Sequence, residues 1–278
     1  MSFHCRQGVG QSKALVGNAN DVELIRLKSW RSAAMGYSVC VFLVRGQLID
    51  TGFPGARQTV ARLLDERRPR GVIVTHQHED HAGNVTLAAE RGFPIAMART
   101  TEDALRAGEA DVGLYRRACW GTMTPLRAAM EPHEPAGLTL IATPGHSPDH
   151  HVVWDAERET LFGGDLFLGV KVRVARPMED PRALAHSARR AAALRPRVLF
   201  DAHRGLVPNG AEALAAKAMW LEETVGAVDE RIARGWSDRA ITRAVLGRED
   251  VVAVISRGDL SRLNFVRAVR ATAARPAG

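Results

Sequence analysis

The chain has little cysteine, lysine or aromatic residue, and it has no long apolar run. Its three cysteines, Cys5, Cys40 and Cys119, are odd in number and follow no metal or redox spacing, which excludes a disulfide framework and a thiolate zinc site. Cys40 lies in the apolar run Tyr37–Val44 and reads as a core residue. No stretch approaches the ~18 apolar residues of a bilayer span, so no membrane partner is expected. Residues Met1–Gly10 contain His4, Arg6 and Gln7 and lack the apolar centre of a secretory signal, so a cytoplasmic location is the expectation. Lysine occurs only at positions 13, 28, 171 and 217, so the net charge of +7 rests on arginines spread along the whole chain. With aromatics at 5% and no aromatic interleaving among Arg257, Arg262, Arg267 and Arg270, a platform for stacked single-stranded bases is not favoured. These arginines read as a solvated helix face.

What is present is an alternation of short apolar strands and amphipathic helices. Strands are read at Val22–Leu27, Tyr37–Val44, Gln47–Asp50, Val72–Val74 and Ile95–Ala98, then at Leu138–Ala142, Val152–Asp155, Thr160–Phe162 and Val198–Phe200. Helical spacing covers Ala56–Arg67, Asn84–Arg91 and Pro181–Leu194, the last with Asp180 as its cap and Pro181 at its first position. The segment Thr100–Gly137 is broken by Gly108, Gly121, Pro125, Pro132 and Pro135. Its Tyr115, Trp120, Met123 and Met130 fit either a lid or ordinary helix core. From Ala211 the pattern is helical throughout, with Leu214, Ala218, Leu221, Val225, Val228 and Ile232 on one face. The expected organisation is an α/β catalytic domain over 1–210 and a helical C-terminal subdomain over 211–278. The C-terminal helices also offer a surface for a homodimer.

The chemistry concentrates in Thr75-His76-Gln77-His78-Glu79-Asp80-His81, directly after a buried strand. Three imidazoles and a carboxylate so close together make a poor core, but they make a good metal site. They stand where a strand's carboxyl end opens into a loop, the usual position of ligand sites in α/β sheets. Three more candidates follow strands downstream: His146 in Thr-Pro-Gly-His, Asp165 in Gly-Gly-Asp and His203 in Asp-Ala-His-Arg-Gly.

The run His76–His81 resembles the HxHxDH signature of the metallo-β-lactamase superfamily. The order of the later Gly-His, Gly-Asp and His is similar too, as is Leu48-Ile49-Asp50-Thr51-Gly52 upstream. The resemblance spans Leu48 to Gly205 and implies an αββα metallo-β-lactamase sandwich with its site at one edge. It implies that His76, His78 and His146 bind a first metal, that Asp80, His81 and His203 bind a second, and that Asp165 bridges them. Asp50 would orient a ligand histidine from behind. Two zinc ions are the expected cofactor, with iron or manganese compatible with the same donors. A hydroxide bridging the metals would attack the substrate, and Asp80 would act as a catalytic residue steering its proton. Where the superfamily commonly has glycine around the last histidine, this chain has Ala202 and Arg204. That leaves a filled second site, with Arg204 meeting an anionic substrate, open against a single-metal centre. His150 stands beside His146 and either reaches the substrate or packs at the start of the next strand.

Three functions compete. The favoured one is a hydrolase for a small-molecule ester, thioester or lactone, similar to hydroxyacylglutathione hydrolases and acyl-homoserine lactonases, although no glutathione-binding stretch is evident. The second is an endoribonuclease or phosphodiesterase, which Pro148-Asp149-His150 and the helical tail resemble. The third is a mononuclear iron oxidoreductase similar to persulfide dioxygenases.

Overall fold

The structure is a computed structural model that describes residues 4–5, 13–19, 21–108 and 112–273. The first sheet has seven strands in chain order: β1 (His4–Cys5), β2 (Lys13–Ala19), β3 (Val22–Lys28), β4 (Val39–Val44), β5 (Gln47–Ile49), β6 (Gly71–Ile73) and β7 (Ile95–Ala96). It is antiparallel as far as β5, and β5, β6 and β7 then run parallel. The second sheet contains β8 (Thr139–Ala142), β9 (His151–Asp155), β10 (Thr160–Phe162), β11 (Val198–Asp201) and β12 (Gly205–Pro208), in the spatial order β12-β11-β10-β9-β8. Only the β10–β11 pair is parallel.

Strand alternation makes the two sheets into a sandwich. Leu24 of β3 and Cys40, Phe42 and Val44 of β4 face Val153, Phe162 and Phe200 of the second sheet in a core between the layers. Phe42 meets Phe162 and Phe200 with ring centroids 5.4 Å apart in each case, and Phe162 stacks on Phe200. The alternate residues Ile25, Leu27, Val39 and Val41 face outward. They pack against α2 (Arg57–Arg67), α4 (Val85–Glu90), and residues of α5 (Arg99–Ala107) and α6 (Leu114–Trp120). Behind the second sheet, Val152, Leu161 and Leu199 pack on α7 (Pro181–Ala193), α8 (Gly210–Ala233) and α11 (Arg262–Ala273). The layering is the expected αββα sandwich. The C-terminal helices share a hydrophobic core with the second sheet and α7, so α8 and α11 form one packing unit with that face.

Local signals account for most boundaries. Asp180 caps α7 by accepting from the backbone N–H of Arg182 and Ala183. Ser237 caps α9 (Asp238–Ile241), whose continuation over Thr242–Leu246 stops at Gly247. Strand β4 begins at Val39 rather than Tyr37, because Tyr37 closes the turn after the short helix α1 (Trp30–Ala34) by donating to Ser32 O. Cys40 and Cys119 are free and buried, and burial pushes their thiols up to about 11 and about 12; the side chain of Cys5 lies outside the described residues. Among the described residues no helix is long and apolar enough to cross a membrane.

One lysine ties the helical portion to the sheet edge. Lys217 of α8 is buried, and its Nζ donates to Phe167 O at 2.6 Å and Gly169 O at 3.2 Å. Burial lowers its pKa from 10.5 to about 8. The unfolded chain therefore binds more protons across that window, and the residue's contribution to stability rises with pH from about 8 toward 10.5. Urea unfolding of wild type and Lys217→Met should show a gap that grows in favour of wild type between about pH 7 and about pH 10, on the order of 2 kcal/mol. A gap independent of pH would contradict this account of the lysine.

Candidate metal centre

Five loops at one edge of the sandwich converge on a single cluster. The turn after β5 supplies Asp50, held at φ +61°. Its carboxylate accepts from Thr75 N at 2.9 Å, from Thr75 Oγ1 at 3.0 Å, and from His81 Nδ1 at 2.8 Å. The loop after β6 carries His76 and His78 and turns into α3 (Glu79–Ala82), which holds Asp80 and His81. This loop is tied to the second sheet by Asp149, which accepts from Gln77 N at 2.8 Å and from Ser147 Oγ at 2.7 Å. His146 follows Gly145, whose φ of +139° and contact with the backbone of α7 leave no room for a Cβ: one built there would lie 2.3 Å from Leu184 N. Asp165 follows β10, and His203 follows β11.

In these histidines one ring nitrogen is anchored and another faces a common centre. His81 Nδ1 is held by Asp50 and His203 Nδ1 by Ser38 O at 2.8 Å, while His146 Nδ1 lies 3.5 Å from Glu179 Oε1. Inside, His76 Nε2 and His146 Nε2 lie 3.0 Å and 2.9 Å from His78 Nδ1. Asp165 spans the cluster: Oδ2 is 3.2 Å from His146 Nε2, and Oδ1 is 3.2 Å from His81 Nε2 and 3.3 Å from His203 Nε2. Asp80 Oδ2 lies 3.3 Å from His203 Nε2. The donors fall into two groups, one of His76, His78, His146 and Asp165 and one of Asp80, His81 and His203.

This donor set fits metal ions. Three ring nitrogens crowded to about 3 Å cannot all satisfy one another by hydrogen bonds, because a neutral imidazole offers one donor and one acceptor. His81 Nε2 and Asp165 Oδ1 are fully buried yet lack a properly directed hydrogen bond, a costly state for polar atoms. A cation between the two groups would satisfy all of them.

Burial pushes His76 and His78 well below the ordinary histidine range, with neighbouring cationic groups adding to the effect, so both rings stay neutral and able to ligate. Burial also opposes charge on His81 and His203, but the surrounding carboxylates, Asp165 foremost, outweigh it and raise both. Burial works to raise Asp80 as well, but His81 and His203 hold it at about 2.

The flanks of His203 do not disturb the turn. The left-handed conformation falls on Gly205, at φ +80°, and neither Ala202 nor Arg204 needs it. Two residues left open as substrate contacts lie away from the cavity. Arg204 is exposed, its guanidinium lies beside Gly169, and it does not line the cavity. His150 is fully buried behind the site: its Nδ1 is 2.9 Å from Thr143 Oγ1, and its Nε2 accepts from Asp165 N at 3.0 Å. It positions the Asp165 loop and is shut off from substrate by its own burial.

Several residues escaped the sequence reading. Asp201 accepts from His203 N, Arg204 N and Leu168 N, bracing two of the site loops; its place two residues before His203 fits an Asx turn and was the available signal. Glu179 and Arg176 carry no local pattern. The cavity over the cluster has a volume of about 350 Å³. Its walls include Tyr37, Tyr115, Trp120 and, from the C-terminal part, Val252 and Leu260. Within residues 112–137, Tyr115 and Trp120 face the cavity, while Met123 and Met130 pack against the outer core.

A two-group histidine and carboxylate centre at the edge of an αββα sandwich defines a class of metallo-hydrolases. The family model for the metallo-beta-lactamase superfamily matches residues 37–203, and the chain belongs to that superfamily. It is 30% identical over 145 residues to the beta-lactamase-like protein 2 homolog of Caenorhabditis elegans, covering 48% of this chain and 44% of that one. It is 28% identical over 173 residues to the thioesterase pkgB of Emericella nidulans, covering 60% and 45%. The chain thus spans about half the length of the curated relatives it matches. A metallo-beta-lactamase family protein of Thermus thermophilus shares the fold, with a TM-score of 0.63 at 18% identity over 94% of this chain and 96% of that one.

Asp50 acts only through Thr75 and His81, so Asp50→Asn should leave the fold intact and lower metal affinity roughly 10–100-fold. Competition against a chelator reads this directly, and an unchanged affinity would remove Asp50 from the centre's support.

Proposed function

We propose that the chain hydrolyses an ester, thioester or lactone carbonyl in a small-molecule substrate at a two-zinc centre. The observation that carries this reading is the cavity. At about 350 Å³, and walled largely by apolar side chains, it admits a small acyl compound directly onto Asp80, His146, Asp165 and His203. The relative named as a thioesterase supports carbonyl chemistry of this kind.

When bound, two ions would lower the pKa of water and polarise the carbonyl oxygen. His76, His78 and His146 would hold one and Asp80, His81 and His203 the other, with Asp165 between them. Zinc suits neutral imidazole and carboxylate donors, although iron and manganese accept the same set. Asp80 is ionised and therefore acceptor-only, so it can hold and orient a water proton beside His203. Trp120 lies against Phe53 at 5.0 Å and Tyr37 at 6.0 Å, and this aromatic wall excludes bulk water next to His203.

The placement of His203 favours two metals over one. A nucleic-acid substrate has less support, because Arg262 pairs with Asp250 at 3.2 Å and Arg270 with Asp238 at 2.6 Å instead of forming a free basic track.

Elemental mass spectrometry of the purified protein should find about two zinc per chain, falling to about one in His203→Ala. Hydrolysis across a panel of activated esters, thioesters and lactones should drop at least ~100-fold in His78→Ala. One iron per chain, unchanged in His203→Ala and with the panel silent, would overturn the proposal.

A further inference from the structure

We propose that the rim of the cavity is a docking surface for an anionic lipid layer, onto which the protein settles with the cavity mouth facing the lipid. This goes beyond the hydrolytic reading above and does not depend on it.

Among the described residues eight large hydrophobic side chains stand exposed, and six of them, Trp30, Leu114, Met178, Val251, Val254 and Ile255, lie on the segments that wall the cavity. Leu114 precedes the cavity residue Tyr115, and Met178 precedes Glu179. Val251, Val254 and Ile255 flank Val252 on α10 (Val251–Ile255). Trp30 opens α1, the turn after α1 brings Gly36 and Tyr37 to the cavity, and α1 packs against α6. These segments are joined into one rim. Tyr115 of α6 donates to Asp259 Oδ2, beyond α10, at 2.7 Å. Ala175 and Ser261 exchange backbone hydrogen bonds of 3.0 Å and 3.2 Å. Scattered exposed apolar residues are ordinary, but a group gathered around one opening marks an interaction surface.

All five residues of α10 are apolar, yet none is buried, and Val254 is 77% exposed. None of them belongs to a hydrophobic core cluster, so core burial does not hold the helix in place. Polar contacts at its base do. Asp250 accepts from Val252 N at 3.0 Å and pairs with Arg262 at 3.2 Å, and Glu249 accepts from Arg262 N at 3.0 Å and Leu263 N at 2.7 Å. An apolar tip is thus presented outward on a polar stem.

Charge decides what this surface meets. Arg31 follows Trp30, with its guanidinium carbon 5.3 Å from the indole centroid; Arg117 lies one helical turn after Leu114; Arg248 and Arg257 flank α10; and all four are exposed. Among the described residues none of the four has a carboxylate partner, whereas Glu249, Asp250 and Asp259 are engaged as above. A second copy meeting this face across a two-fold axis would set the same uncompensated cations against each other. An anionic lipid layer supplies the missing charge through its headgroups, and it accepts apolar tips beneath them without matching their shape. The expectation of no membrane partner rests on the lack of a spanning segment, and surface docking needs none. In the docked pose, the apolar wall of Leu168, Val172, Val174, Val252 and Leu260 continues from the lipid to Asp80 and His203.

The test is co-sedimentation of the zinc-loaded full chain with vesicles of phosphatidylcholine alone and of phosphatidylcholine with about one-third phosphatidylglycerol. Wild type should partition onto the anionic vesicles at least ~10-fold more strongly than onto the neutral ones, and less so as salt is raised. The double variant Val254→Ser, Ile255→Ser should lose at least ~10-fold of that partitioning. Arg248→Gln with Arg257→Gln should bring the anionic vesicles towards the neutral ones. Trp30→Ser, on a different segment of the rim, should weaken binding at least ~3-fold, so the comparison stands even where substitution disturbs α10. Binding that neither Trp30→Ser nor the serine pair changes is adsorption through charge elsewhere and overturns the proposal. No binding to either vesicle also overturns it, and a dimer that the same substitutions dissolve in analytical ultracentrifugation, without vesicle binding, assigns the rim to a second copy instead. The readout needs no turnover, so a silent hydrolysis panel would sink the proposed reaction without deciding this one.

Discussion

The centre depends on burying several imidazoles beside carboxylates, and such a cluster is tolerable only if every group has a fixed counterpart. Asp50 is where that constraint is met from behind. A single carboxylate, presented by a left-handed residue at the end of β5, ties the backbone and hydroxyl of Thr75 to the ring of His81. It thereby sets the direction of the whole His76–His81 loop. Asp165 meets the same constraint from the front, reaching His81, His146 and His203 with its two oxygens. Without these carboxylates the histidines would repel one another whenever protonated, and the loops would have no common geometry.

The scaffold explains why the centre can be both buried and reachable. The Phe42, Phe162 and Phe200 cluster holds the two sheets together below the site. The loops at the sheet ends then supply the seven candidate ligands from four places without any of them needing to be long. The C-terminal helices contribute differently. They provide no metal donor, but through Lys217, Asp259 and Ser261 they brace the loop after Asp165 and the far wall of the cavity. Metal chemistry belongs to the sandwich, and the shape of the space above it belongs to the helices packed against the second sheet.

The strands and the seven donor residues were legible in the sequence for a physical reason. Alternation over a buried sheet and polar residues clustered immediately after strands are local patterns, and each survives without knowledge of its neighbours. The strands β2 and β12 were less legible: Gly205–Pro208 is short and bounded by turn residues, and Lys13–Ala19 carries weak alternation. The roles of His150 and Arg204 were not legible either. Their spacing beside ligands suggested substrate contact, whereas burial behind Thr143 turned one into a support, and an outward turn exposed the other.

By itself, then, the sequence determined the class of chemistry. Neutral imidazoles and carboxylates at strand ends can do little but hold metal, and their order along the chain is readable without coordinates. Only the tertiary structure decided that His150 stands behind the Asp165 loop, that Arg204 turns away from the cavity, and that Val252 and Leu260 from the C-terminal part wall it. Those are relations among residues up to 177 positions apart, as for Arg26 and His203. They are set by how two sheets and a layer of helices pack, and no local pattern encodes a distance across that packing.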